Sequence, residues 1–237
     1  MAVQTKTFDG SVVAPVPVPN LRLRGLGVPS AWRRPFIWFQ LIVVYGFIEC
    51  AEWSSQPAFR NTWAFIVAGT VLVFVSVDRP SLKRMGLGLP TRFGASLVLA
   101  VGFATAIFLG LVVRWAGGQI PANPMWPSFH LMWQYVAWAL IQEFLLQSFF
   151  FTRCEELFGS LAAVWVAATL FASAHLPSPI LTTLTFAGGL FFCEMFRRYR
   201  SIYSIGVVHG MLGLTIALTM PDSLLHHMRV GIGYLSC

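Results

Sequence analysis

Charge is scarce in this chain. Nine acidic and 16 basic residues among 237 amount to 11% of the sequence, too few to coat a water-facing surface of that size. A soluble globule is excluded on that ground. Disorder is excluded as well, because 57% of the residues are hydrophobic, against roughly 45–50% in ordinary soluble domains. Cysteine is sparse too: Cys50, Cys154, Cys193 and Cys237 lie in separate segments without metal-type spacing, and no disulfide is assigned. The first thirty-four residues lack the basic, apolar, small-residue order of a cleaved signal peptide. The Pro-alternating stretch Val13–Pro19 reads instead as part of an extended tail, so the first span itself must direct insertion. No internal repeat is visible.

What the chain has in abundance is long apolar runs. They predict helices at 36–51, 62–77, 93–113, 131–151, 160–175, 180–196 and 202–220, each near the length that crosses a hydrocarbon layer of about 30 Å. The expectation is an all-α polytopic bundle of about seven transmembrane helices. It comprises a flexible tail over 1–34, a membrane domain over 35–220 and a short C-terminal tail over 221–237. The lipid bilayer is its first partner. The net charge of +7 does not point to nucleic acid, because the basic residues sit in loops rather than on one stripe. Thirteen of them alternate onto one side of the spans (Lys6, Arg22, Arg24, Arg33, Arg34, Arg79, Lys83, Arg84, Arg92, Arg153, Arg197, Arg198, Arg200), and only Arg60, Arg114 and Arg229 onto the other. That bias puts the N-terminus in the cytoplasm. Trp32, Trp38, Trp53, Trp63, Trp115 and Trp126 fall near span ends, as amphipathic rings prefer, whereas Trp133, Trp138 and Trp165 are expected deeper, as packing residues.

Five ionisable residues fall within the runs: Glu49, Glu143, His175, Glu194 and His209. Each costs free energy in hydrocarbon, about 2.5–3.5 kcal/mol for an acidic or basic side chain at mid-helix. Glu49 and Glu194 lie near span ends and can reach the interface. Glu143 is different, because Gln142 and Gln147 accompany it and Gln147 shares its helix face at i,i+4 spacing. A turn at Phe158-Gly159-Ser160, with Gly as helix stop and Ser as N-cap, makes the fourth and fifth spans an antiparallel hairpin. Glu143 precedes Gly159 by 16 residues and His175 follows it by 16, so the two share a depth of about 12 Å from the cytoplasmic edge. His209, nine residues beyond Arg200, reaches about 13 Å. Pro177 and Pro179 interrupt the helix beside His175 and free backbone groups that must be buried in protein or line a wet cavity. Ala187-Gly188-Gly189, Gly206, Gly210 and Gly213 permit close helix contact around such a chamber.

These stretches resemble the CAAX proteases and bacteriocin-processing enzymes, the CPBP family of intramembrane endopeptidases, over about residues 130–220. The family pattern is Glu-Glu-x-x-x-Arg, then Phe-x-x-x-His, then His-x-x-x-Asn. The counterparts are Gln142-Glu143-Phe144-Leu145-Leu146-Gln147, Phe171-Ala172-Ser173-Ala174-His175 and His209-Gly210-Met211-Leu212-Gly213. Glu143, Phe171, His175 and His209 are kept; Gln142, Gln147 and Gly213 depart from the pattern. The resemblance implies that the first glutamate and the middle histidine polarise a water that attacks a peptide carbonyl, while the last His and Asn hold the oxyanion. An amide such as Gln142 has no proton-accepting state to offer as a base.

Two functions follow as expectations. One is an intramembrane peptidase acting on a membrane-associated peptide, with Glu143 and His175 handling the water and His209 aiding the oxyanion. The other is a catalytically degenerate relative that binds or assembles with another membrane protein. A third, weaker reading has His175 and His209 ligate a haem, chlorin or metal; the sequence names no cofactor. The resemblance implies an integral protein of a bacterial inner (plasma) membrane. The adjacent His226 and His227 read as a solvated end.

Overall fold

The computed structural model describes residues 30–115 and 129–236, and the regular structure among them is entirely helical. The first three rods are α1 (Ser30–Glu52), α2 (Pro57–Asp78) and α3 (Arg92–Trp115). A continuous helical run follows, made of α4 (Phe129–Glu143), a π-helical stretch Phe144–Phe151 and α5 (Thr152–Phe158). Then come α6 (Ser160–Ser173), α7 (Pro179–Tyr199) and α8 (Tyr203–Thr219). Every expected apolar run is thus a helix. Four of them, α1, α2, α3 and α7, are long and apolar enough to cross a membrane by themselves, and α6 and α8 are shorter apolar helices. The expected tail over residues 1–29, Trp126, the His227 side chain and Cys237 lie outside what is described.

Local chemistry sets the boundaries. Pro57 opens α2 and Pro179 opens α7, where a missing N–H is no loss. Ser178 caps α7 by accepting the Leu181 N–H. Gly159, at φ 85°, makes the predicted turn, but it serves itself as the cap of α6, with Ser160 the first helical residue rather than the N-cap. Rings and small residues then pack the bundle. α6 lies against α7, and α8 lies between α3 and α4. Cβ atoms added at Gly206 and Gly210 would meet Leu140 and Val136 of α4, so the small residues on α8 do bring two backbones together. Phe149, Phe151 and Phe196 are wholly buried at the centre. Outward faces are apolar as well: Phe65 is 78% and Phe103 61% exposed, the pattern of a surface solvated by lipid. Trp133, Trp138 and Trp165 are about half exposed, which corrects the expectation that they pack inside; they belong to this outer face.

Three boundaries differ from the sequence reading, each for a physical reason. Helix α1 begins at Ser30 and takes in Arg33 and Arg34, expected in the flexible tail, because Arg33 bonds Asp78 at 2.8 Å and Glu156 at 2.5 Å. The fourth rod continues to Phe158 because Arg153, just past the expected end, is buried and held. Its guanidinium donates to Asp78 (3.0 Å), Gln40 Oε1 (2.6 Å) and the Phe149 carbonyl (3.2 Å). Helix α6 stops at Ser173, leaving His175 in a turn spanning 174–177 that ends at Ser178 and Pro179. The final segment also folds back. Helix Asp222–Leu225 and the turn after it bury Leu225, and the Gly231 N–H donates to the Leu176 carbonyl at 2.8 Å. The His226 ring rests on Tyr234, 4.4 Å between centroids, so this residue is packed and not a free solvated end.

Arg33, Asp78, Arg84, Arg153 and Glu156 form one ion-pair network that ties the start of α1, the end of α2, the loop after it and α5 together. Arg200 pairs with Glu155 at the same end. Most of the basic loops therefore converge on one end of the bundle. Burial opposes ionisation of Glu156, but its hydrogen bonds and charge contacts with Arg33 and Arg84 outweigh that and hold the carboxyl below the usual range.

Two stability predictions follow from the ion pairs. Removing the carboxylate by Asp78→Asn leaves the Arg153 guanidinium buried without its counter-charge and costs about 3 kcal/mol or more, read as a lowered melting temperature in detergent. Glu194→Gln, at a more exposed pair with Arg197 and Arg198, costs no more than about 1 kcal/mol. The second concerns pH. A carboxyl held low contributes stability that is present above its unfolded value of about 4.3 and is lost as pH falls through the folded one. Glu156→Gln accordingly flattens the acid limb of a melting profile, and an acid limb identical to wild type counts against the pair.

Candidate functional site

Glu143 ends the regular part of the fourth rod, and the wider π turn begins at the next residue. Such turns re-aim the side chains on either side of them and recur at functional sites. The Glu143 side chain is completely buried. Its two oxygens are both engaged: Oε1 lies 2.8 Å from His209 Nδ1 of α8, and Oε2 accepts from Gln147 Nε2 at 3.0 Å. The i,i+4 pairing read from the sequence is therefore made. Gln147 is also fully buried, and its remaining Oε1 has no partner among the described residues.

Aromatic rings wall the pair. The His209 imidazole stacks on Phe192 at 5.2 Å between centroids and meets Phe171 edge-on at 5.7 Å. Phe171 in turn packs against the His175 ring at 4.8 Å. His175 is fixed from the other side, because its Nδ1 lies 2.7 Å from the Phe171 carbonyl oxygen. A carbonyl can only accept, so Nδ1 carries the proton, and Nε2 of the neutral ring is left as an acceptor. Freed backbone in the turn is also satisfied. The His175 N–H donates to Ala172 and the Leu176 N–H to Ser173, while the Leu176 carbonyl receives Gly231. Phe171, His175, His209 and Glu143 thus meet around one aromatic wall.

The departures from the family pattern are individually placed. Gln147 does what a donor at its position must do and bonds Glu143. Gln142 is half-buried and stands outside these hydrogen bonds. Gly213 is buried against Tyr135 of α4: a Cβ there would stand 2.8 Å from the ring Cε1 and closer still to the hydroxyl. Glu143 is given to His209, so the expected partnership of Glu143 with His175 is not the one made. Phe171 packs on both imidazoles, and a planar pigment or metal shared by the two would have to displace it. Among the described residues no group of three or more His, Cys, Asp or Glu could hold a metal ion.

Sequence reasoning missed Tyr135, Phe192 and the buried Gln40–Asp78–Arg153 cluster. Gln40 is a polar residue in an apolar run and was legible as such; Tyr135 and Phe192 carry no signal apart from their neighbours. Two further ionisable residues of the apolar runs find partners elsewhere. Glu194 is bound by Arg197 and Arg198 at the end of α7, and Glu49 accepts from Trp53 at 3.0 Å. Neither joins the cluster.

Four helices of membrane length and shorter apolar ones, with a carboxyl and an imidazole hydrogen-bonded inside, describe an all-helical membrane protein. More particularly, residues 124–215 match the family described as type II CAAX prenyl endopeptidase Rce1-like and are similar to it. No curated protein and no solved structure matches the chain.

The hydrogen bonds make a prediction about Gln147. Gln147→Leu removes the donor to a buried carboxylate and lowers stability by about 1–3 kcal/mol, read by thermal unfolding in detergent. Gln147→Glu sets two buried carboxylates side by side and costs more; a Gln147→Glu protein as stable as wild type contradicts the arrangement.

Proposed function

We propose that this protein is an intramembrane peptidase that hydrolyses a membrane-associated peptide with His175 as the base. The observation that carries the reading is the fixed orientation of His175. With Nδ1–H committed to the Phe171 carbonyl, Nε2 is the nitrogen left to take a proton. In the reaction, Nε2 accepts a proton from water, and the resulting hydroxide oxygen bonds to the peptide carbonyl carbon. The tetrahedral intermediate then collapses, the C–N bond breaks, and the imidazolium returns its proton to the leaving amine. His209, held through Nδ1 by the Glu143 carboxyl, turns its Nε2 edge to the developing oxyanion. Glu143 is a positioning residue here: it holds the tautomer and orientation of His209 and does not touch the water. Gln142 leaves His175 without a neighbouring carboxylate, so turnover is slow.

The basic end faces the cytoplasm by the excess of Lys and Arg in the loops that meet there, and the membrane is a bacterial inner membrane. The substrate class is a peptide anchored in lipid or spanning it, consistent with the family's description as a prenyl endopeptidase.

A second reading, a non-catalytic subunit that binds another membrane protein, is favoured by the amide at Gln142 and by the engagement of both Glu143 oxygens. The two readings separate in one experiment. The protein is reconstituted in liposomes with a farnesylated CAAX-type peptide and with a hydrophobic membrane-spanning peptide, and peptide termini in native membranes are profiled with and without it. The peptidase reading expects cleavage that His175→Ala abolishes while the protein still accumulates, and that Gln142→Glu raises about 10²-fold. Cleavage unaffected by His175→Ala, or no protein-dependent termini, overturns it. A stoichiometric partner retained by the His175→Ala protein supports the second reading.

A further inference from the structure

At two helix ends an arginine stands where glycine is the usual choice. Helix α2 stops at Arg79 with φ 45° and α7 at Arg200 with φ 48°, in the left-handed region that strains any residue with a Cβ. For Arg200 the side chain accounts for the residue, because its guanidinium pairs with Glu155. Arg33, Arg84 and Arg153 at the same end of the bundle also meet carboxylates. Arg79 does not. It is exposed, and among the described residues its guanidinium has no ion pair, hydrogen bond or ring contact. The carboxylate next to it is already engaged, since Asp78 turns to Arg33 and Arg153 and its side chain is only 8% exposed.

This unpaired cation tops an apolar groove. Leu72, Val73, Ser76, Val77 and Arg79 line a cavity of about 320 Å³ on the outer face of α2. Leu72 precedes Arg79 by seven residues, so the groove runs about 10 Å along the helix from the guanidinium, from the level of the headgroups into the hydrocarbon. Ser76, exposed and one turn before Arg79, adds a hydroxyl at its polar end. We infer that this groove holds an anionic phospholipid, with the phosphate on the Arg79 guanidinium and the Ser76 hydroxyl and the start of an acyl chain along Leu72, Val73 and Val77. Charge selects the lipid: an anionic headgroup brings Arg79 the counter-charge it lacks, whereas a zwitterionic one carries its own cation beside the phosphate. The inference is independent of the peptidase reading.

The test uses the purified full chain in neutral detergent, titrated with phosphatidylglycerol or phosphatidylcholine and read by native mass spectrometry for bound lipid and by melting. Wild type is expected to retain phosphatidylglycerol in preference to phosphatidylcholine and to melt higher with it, and glycerol phosphate, the headgroup without chains, is expected to do neither. Arg79→Gln weakens phosphatidylglycerol binding about tenfold or more. Arg79→Gly weakens it as much and, by relieving the left-handed strain, melts no lower than wild type in detergent alone. Val73→Trp fills the groove, leaves the charge and also weakens binding. Lys83→Gln removes an exposed charge from the loop just beyond, outside the groove, and changes binding no more than about fivefold. Equal losses in Lys83→Gln and Arg79→Gln make the attraction a property of the whole basic end, and the inference falls. It falls as well if Val73→Trp binds like wild type. If both Arg79 variants lower melting in detergent alone and keep their lipid, Arg79 serves the C-terminal dipole of α2 instead. A wild type indifferent to the choice of lipid, or one that binds glycerol phosphate as tightly, also overturns it.

Discussion

A carboxylate with no exposed surface, set among phenylalanines in a bundle of apolar helices, has to find its hydrogen bonds inside the protein. Glu143 finds them on two elements, from Gln147 one turn along its own rod and from His209 on α8. The second bond joins helices that the sequence separates by 66 residues. It fixes the rotation of α8 against α4, and with it the glycine face that lets the two backbones approach. Once α8 is set, His209 falls between Phe171 and Phe192. Phe171 then presents its carbonyl and its ring to His175. The site is one connected set of contacts, and the buried acid is the group it cannot do without.

Around that set, two of the three departures from the family pattern come with a structural answer. A neutral amide replaces a cation at 147 and still donates to the acid. A glycine replaces a carboxamide at 213 and a phenol from the neighbouring helix fills the opening. Random loss would leave holes and unpaired groups at each position, whereas here the buried atom left without a partner at these positions, among the described residues, is Gln147 Oε1. Only Gln142 removes a chemical capacity, that of accepting a proton, and among the described residues no carboxylate is hydrogen-bonded to His175 in its place. On the proposed peptidase reading this leaves an imidazole as the base without the paired carboxylate that the family pattern implies.

Much of this was legible in the sequence because the bilayer permits so few solutions. Seven apolar runs became seven helical rods, and the turn at Gly159 joins the fourth of them to α6 as the glycine there announced. Prolines 177 and 179 told where α6 ends, although the helix stops two residues before His175 and not at it. Rotation about a helix axis was not legible: neither the choice of His209 over His175 as partner of Glu143 nor the approach of Tyr135 to Gly213 follows from depth. The π turn that begins at Phe144 adds a residue to the helical period, which no hydrophobic pattern announces. The extension of the fourth rod to Phe158 was hidden because Arg153 reads as a loop cation until Asp78 and Gln40 are seen beside it. The lipid-facing positions of Trp133, Trp138 and Trp165 were missed because an apolar run has no polar face to orient it.

The central claim, that Glu143 serves His209 while His175 is held separately with Nε2 free, is tested most directly by nitrogen NMR of histidine-labelled protein in bilayers, wild type against Glu143→Gln, with signals assigned by single histidine replacements. The account predicts that the His209 ring nitrogens shift when the carboxylate is removed, while His175 keeps a protonated Nδ1 and an unprotonated Nε2 in both proteins. A His209 spectrum indifferent to Glu143→Gln, or a His175 ring protonated on Nε2 instead of Nδ1, would contradict it.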